Sequence, residues 1–298
     1  MTTPTATTTQ SSPPLVDIGI NLTHKQFHRD REDVIHRGLE QANVRALILT
    51  GTSVKASQEA QQYCATAQSS CPDVQLYCTA GVHPHDAKRC NDDTTIESLR
   101  RLASTDQVVA IGECGLDHNR NFSPPDVQRH WFVQQLELAR ELQLPVFLHE
   151  RDAHADFFQI LSQYADKLPA SIVHCFTGTQ DALNDYLSLP NCYIGITGWV
   201  CDERRGLALR KIVPLIPDDR LMIETDAPFL YPRDLPPDRR TSKKDRRNEP
   251  AYLNHICDSV AACRGQTSEH LAKITTANAV RFFRLPMAPP EEASESKE

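Results

Sequence analysis

Four residues of metal-ligand type each close a run of apolar residues: Glu113 after VVAIG, His149 after PVFL, His174 after SIV and Asp226 after LMIET. Runs of that kind are normally buried, so the ionisable group at the end of each is expected at the edge of a core. One carboxylate with two imidazoles suits magnesium, manganese or zinc, and it leaves coordination positions open for water and substrate. Open positions point to catalysis and away from a structural clamp. A divalent ion lowers the pKa of water from about 15.7 towards about 7 in the most favourable zinc cases, and it polarises a phosphoryl or carbonyl oxygen. Asp226 is then placed to orient that water or accept its proton. Glu224, two residues earlier on the same face, is expected a layer lower in a supporting role.

Other side chains add weaker signals. GVHPHD supplies His83 and His85, which could contact a phosphate or protonate a leaving group, and which equally suit a proline-stiffened surface loop. Arg120 and Arg151 lie just past the fourth and fifth apolar runs, where a cation could grip a phosphate. Trp199, directly after GITG, could stack on a base or pack beneath its own loop. Residues 232–248 hold seven Lys or Arg against three Asp, a local +4 in a chain of net charge −7, and would attract phosphates if they emerge at the reactive face. In DIGIN, Asp17, Gly19 and Asn21 share one face of a strand by the period-2 rule, opposite Val16, Ile18, Ile20 and Leu22. That polar face is expected to point into the reactive mouth, with Asp17 and Asn21 as possible substrate or second-metal contacts. His24 and His28 have helical i, i+4 spacing but no HExxH context, and read as a solvated face.

The elements that would carry these residues alternate regularly. Strands are expected at 15–21, 46–52, 75–83, 108–113, 145–150, 171–176, 193–198 and 221–226. Helical patterns lie between them at about 27–41, 55–69, 93–104, 152–166, 179–189 and 204–215, and two more follow near 250–263 and 268–283. The clearest is PPDVQRHWFVQQLELARELQL, with Trp131, Phe132, Leu136, Leu138 and Leu142 near a 3.6 period and Ser123 offering a cap. Eight strands each trailed by a helix point to a parallel (β/α)8 TIM barrel, whose reactive groups gather at the C-terminal ends of the strands. A doubly wound open sheet is the runner-up, but no GxGxxG follows the first strand.

The 40% hydrophobic and 24% charged content is that of a globular protein with a proper core. Residues 1–14 and the acidic stretch 286–298 lack packing residues and are expected to be disordered, leaving one domain over 15–285. No basic start and apolar core mark a signal peptide, and no apolar run approaches the roughly 20 residues that span a bilayer. Ten cysteines without a CxxC pair read as reduced thiols in a cytoplasmic protein. The acidic balance argues against indiscriminate nucleic-acid binding.

Taken together, GVHPH, AIGECGLD, PVFLH, VHCFTG, YIGITGWV, IETDAP and RRNEP make the chain resemble the TatD family of metal-dependent deoxyribonucleases, within the metallo-dependent hydrolase barrels. The resemblance covers about residues 15–285. It implies that Glu113, His149 and His174 are metal ligands and that Asp226 is the strand-8 carboxylate. It also implies magnesium-dependent 3′ to 5′ exonuclease action on single-stranded DNA and RNA, in the cytoplasm, with a part in repair of oxidised DNA and no membrane; a monomer is expected. Manganese or zinc is a possible substitute. Many family members begin with DxHxH, and here Gly19 and Asn21 stand at the two histidine positions, so histidines restored there are expected to tighten a second ion. The alternative is a metal-dependent amidohydrolase or an esterase acting on a small molecule or charged tRNA, since related barrels host such chemistry.

Overall fold

The structure is a computed structural model and describes residues 13–242 and 246–288. The terminal stretches expected to be disordered lie outside the described residues, apart from Pro13, Pro14 and residues 286–288. β1 (Leu15–Ile20), β2 (Val44–Leu49), β3 (Gln75–Ala80), β4 (Val108–Asp117), β5 (Val146–Arg151), β6 (Ser171–Val173), β7 (Cys192–Ile196) and β8 (Leu221–Ile223) form one parallel sheet in chain order. Parallel neighbours need a crossover. Helices supply it: α1 (Arg31–Ala42), α2 (Val54–Ala67), α3 (Thr95–Ala103), α4 (Pro125–Leu142), α5 (His154–Leu161), α6 (Gln180–Ser188) and α7 (Leu207–Ile212), with α8 (Leu253–Arg264) and α9 (Ser268–Phe283) following β8. The eighth strand returns to the first through an Ile20–Ala227 bridge, with Asn21 N donating to Ala227 O at 2.7 Å and Asp226 N to Gly19 O at 2.8 Å. The expected eight-stranded barrel is therefore the architecture found.

Alternation along the strands sorts the apolar residues into two layers. Val16, Ile18, Ile48, Phe147, Ile172 and Met222 fill the barrel interior, and Phe282 and Phe283 of α9 belong to the same cluster. Leu47, Leu49, Ile111, Leu148, Ile194 and Ile223 pack outward against Phe132, Leu136, Phe157, Leu183 and Ile256 of the helices. Side-chain caps start several helices where the sequence offers Ser or Thr: Ser53 Oγ accepts from Ala56 N at 3.1 Å and Thr179 Oγ1 from Ala182 N at 3.2 Å. Ser123 does not cap α4. Pro124 holds that position, while Ser123 Oγ accepts from Lys88 N at 3.0 Å and donates to His85 O at 2.9 Å.

Several strand boundaries differ from the expected ones: β2 runs 44–49 rather than 46–52 and β3 ends at Ala80 rather than at 83, and β4, β6 and β8 differ as well. β6 and β8 stop at Val173 and Ile223, and the chain then turns to positive φ at Cys175 (47°) and Asp226 (54°). β4 instead runs on to Asp117, through a shift of register between Gly112 and Cys114.

The first strand breaks its own period. Asp17 faces Leu47 and Ile20 faces Leu49, so three steps of β1 match two of β2. Ile18 and Gly19 both fall on the interior side of this bulge, and Asp17 is left on the opposite face from Gly19 and Asn21. Its carboxylate is wholly buried and accepts from Thr225 Oγ1 at 2.6 Å and Thr225 N at 2.9 Å. The expectation that Asp17 lines the mouth is thus corrected: it is a buried tie between β1 and the end of β8.

Burial pushes the Asp17 carboxyl from 3.8 up to about 7, against the pull of Thr225's hydrogen bonds. A carboxyl raised in the folded state holds a proton that the unfolded chain has released. Its contribution to stability is full below pH 3.8 and is lost as the pH rises through about 7. Asp17→Asn should therefore flatten the fall in stability between about pH 5 and pH 8, by on the order of 1–4 kcal/mol, in urea denaturation at the two pH values. An identical slope in the variant would show that Asp17 does not titrate in that window.

Candidate active site

Glu113 stands at the register shift of β4, where Gly112 faces Phe147 and Cys114 faces Leu148 of β5. The extra residue frees its side chain from the ladder and turns it across the mouth. Its backbone N donates to Gly51 O at 2.7 Å. One carboxylate oxygen, Oε1, then meets three imidazoles: His174 Nε2 at 2.8 Å, His149 Nδ1 at 2.9 Å and His83 Nε2 at 3.4 Å. His149 and His174 arrive from β5 and the end of β6, as expected. His83 arrives from the loop after β3, held there by Gln135 of α4, whose amide accepts from Val82 N at 2.7 Å and donates to Val82 O at 3.1 Å.

The charges in this cluster are mutually determined. Burial alone would raise the Glu113 carboxyl, but His83, His174 and His149 outweigh it and hold the group well below the usual carboxylate range. Burial works against protonated His174 too, and Glu113 with Glu224 overcome it to raise that imidazole well above its ordinary value. His149 is raised against burial by Asp117 and Glu113. His83 goes the other way, pushed down to about 3 by burial despite Glu113. The carboxylate thus favours protonation of His149 and His174, while burial disfavours it at His83.

Two further carboxylates line this mouth. At the end of β4, Asp117 Oδ2 accepts from His85 Nε2 at 2.6 Å and lies 3.6 Å from His149 Nε2, while Oδ1 accepts from Asn119 N and Arg120 N at 3.0 Å each. Although burial would raise it, these partners hold the carboxyl below its ordinary range. Gln128 of α4 clips the same strand end, accepting from Asp117 N at 2.9 Å and donating to Asp117 O at 3.1 Å. Opposite, Asp226 Oδ1 accepts from Asn21 Nδ2 at 3.0 Å. Its carboxyl is pushed up to about 7, by burial first and by Glu113 and Glu224 further, with His174 opposing. Asn21 therefore orients a carboxylate.

Glu224 sits below, wholly buried, accepting from Cys175 N at 2.6 Å with His174 Nδ1 at 3.4 Å. It fits only because two interior positions are glycine. A Cβ on Gly19 would lie 2.2 Å from Glu224 Oε2 and one on Gly195 would lie 2.8 Å from Oε1. A side chain at 19 would have to shift the end of the Glu224 side chain.

His83, Glu113 and His149 have ligand atoms all within 4.8 Å of one another, and His149 Nε2 is buried without a hydrogen-bond partner. A buried unpartnered imidazole nitrogen beside an ionised carboxylate is the donor chemistry a divalent cation satisfies. The residues fit such an ion. His174 shares Glu113 Oε1 but stands outside that three-atom cluster.

The more distant candidates divide. Arg120 and Arg151 are exposed beside the mouth, and neither guanidinium has a hydrogen bond or ion pair among the described residues. The indole of Trp199 is already covered, with the Arg205 guanidinium 4.3 Å from its ring centroid and Nε1 donating to Arg205 O at 3.3 Å. Much of the positive charge of 232–248 is committed: Arg233 to Asp202 at 3.2 Å, Arg239 to Asp258 at 2.6 Å and Arg247 to Asp30 at 2.7 Å. Lys243 and Lys244 lie outside the described residues. Asn248 and Glu249 of RRNEP are structural, donating to Thr225 O at 2.8 Å and pairing with Arg37 at 2.7 Å. Asp117 was missed in the sequence, although an acidic residue at the end of GECGLD was the available signal.

With this geometry in view, the comparisons are specific. A family model described as TatD related DNase matches residues 16–284. The curated protein "3'-5' ssDNA/RNA exonuclease TatD" of Dickeya dadantii (strain 3937) is 55% identical over 272 residues, covering 91% of this chain and 98% of its own. The protein of the same description from Escherichia coli (strain K12) is 49% identical, covering 91% and 99%. Among solved structures, a hydrolase TatD family protein from Entamoeba histolytica superposes with a TM-score of 0.79 at 25% identity, covering 91% of this chain and 99% of its own.

Proposed function

Because this chain belongs to the family of TatD-related DNases, we propose that it hydrolyses phosphodiester bonds as a divalent-metal-dependent 3′ to 5′ exonuclease on single-stranded DNA and RNA. The observation that carries the site assignment is the meeting of His83, His149 and His174 on one oxygen of Glu113. Glu113 and His149, joined by His83 or His174, would hold the ion. Magnesium is our reading, with manganese or zinc as substitutes; when bound, the ion supplies polarisation of the phosphoryl oxygen and a lowered pKa for water.

The chain's own residues account for the rest. Asp226, held by Asn21 and titrating near neutrality, accepts the proton of the attacking water. Asp117 holds His85 at 2.6 Å, where the imidazole can donate to the leaving oxygen. Arg120 and Arg151 are free to take phosphate oxygens along the strand. We read residues 15–285 as one catalytic unit working as a monomer in the cytoplasm, and repair of oxidised DNA as its setting. Ten free thiols support a reducing compartment. No helix among the described residues is long and apolar enough to cross a membrane. The amidohydrolase and charged-tRNA esterase alternatives rest on fold alone.

The test is a 5′-labelled single strand incubated with purified protein and magnesium, manganese or zinc. A ladder shortening from the 3′ end, with mononucleotide release and complete inhibition by chelator, is expected. Internal cleavage, or no cleavage with any of the three ions, would remove the exonuclease reading.

A further inference from the structure

Among the described residues four large apolar side chains are exposed: Phe122, Leu207, Leu215 and Phe229. The two aromatic ones both stand on loops that follow strands at the reactive end, Phe122 after β4 and Phe229 after β8. In a ring of eight strands in chain order, those positions are four apart, so the two rings rise from opposite rims of the mouth.

Each ring is tied to the site beneath it. Phe122, 52% exposed, meets the His85 ring edge-on with centroids 4.8 Å apart, and the Arg120 guanidinium lies 5.9 Å from its centroid. Phe229, 46% exposed, is three residues past Asp226, and its N donates to Asp226 O at 3.0 Å. Its ring meets His24, from the loop after β1, at 5.4 Å. Trp199 offers the contrast, because its indole is already covered by an arginine. Phe122 and Phe229 instead leave about half their surface in water, a cost that a flat apolar ligand would remove.

Nucleobases are such ligands. Resting on the nuclease reading above, we propose that Phe122 and Phe229 are base platforms for the last two nucleotides of the strand, one ring to each base, so that the diester between them hangs over Glu113 and Asp226. Unpaired Arg120 beside Phe122 and Arg151 at the end of β5, opposite Asp117, supply charge complementary to the phosphates on that side. Stacking is indifferent to base identity, as an enzyme that trims any sequence requires.

The experiment compares wild type, Phe122→Ala, Phe229→Ala and the corresponding Trp variants on two strands: an intact one, and one with abasic residues at its last two positions. Wild type should lose about tenfold or more in kcat/KM per missing base. Each Ala variant should lose a similar factor on the intact strand, but little more on the abasic one, and Trp should restore turnover. Both rings are exposed, so folding should be unaffected in thermal melts. Additive losses, with the Ala variants equally impaired on abasic strands, would overturn the assignment, as would wild-type behaviour on the intact strand. A wild type inactive on both strands would overturn the nuclease reading and this inference with it.

Discussion

Replacing Glu113 with glutamine should lower mononucleotide release from single-stranded DNA by about a thousandfold or more, equivalent to roughly 4 kcal/mol of barrier. Glu113 Oε1 is where His149, His174 and His83 converge. A neutral amide removes the charge that favours protonation of His149 and His174 against burial, and it removes the one carboxylate among the residues that would hold a divalent cation. Breaking a buried, hydrogen-bonded charge cluster on one side costs about 3–5 kcal/mol, so lost turnover and lost metal should appear together. Metal content after dialysis and single-turnover kinetics, with circular dichroism to check folding, measure both. A variant that keeps its metal and works at the wild-type rate would remove Glu113 from the site.

Asp226→Asn should separate the two losses. The amide can still accept from Asn21 through its oxygen, so the mouth should keep its shape and its ion, while kcat falls by about 10²–10⁴ through loss of the proton acceptor. The pH profile supplies the sign. Burial lifts the Asp226 carboxyl to about 7, and only its ionised form can accept a proton, so wild-type kcat should fall as the pH drops through that region. A bound cation favours the ionised form and moves this limb downwards. The residual activity of Asp226→Asn should show no such limb. If the limb persists unchanged, another group is the base.

The parts of the site that were legible in the sequence are those that close an apolar run. Glu113, His149, His174 and Asp226 end apolar runs, and the barrel gathers such ends. Residues governed by irregularities were misplaced or passed over. The bulge in β1 sends Asp17 away from the face it shares on paper with Gly19 and Asn21. The register shift in β4 carries the strand on to Asp117, four residues beyond the glutamate at which it was expected to end. His83 was singled out as a possible substrate contact but not placed beside Glu113, because what brings it there is a buried glutamine on α4, and helical periodicity says nothing of such a clamp. The charge of 232–248 was overstated for a similar reason: Asp30 and Asp202, far along the chain, neutralise arginines that a local count leaves unpaired.

The seam between β1 and β8 also sets when the enzyme can first act. Asp17 and Thr225, which stitch it, are 208 positions apart, and Asn21 and Asp226 are 205 apart. While the chain is still being translated, Glu113 and the imidazoles are synthesised well before Asp226, whose strand must dock against the first strand made. Contacts of that span form late because a long loop has to close first. An unfinished nascent chain therefore has no partner for Asp17 or Asn21, and the mouth is complete only once the last strand has been made and docked against the first.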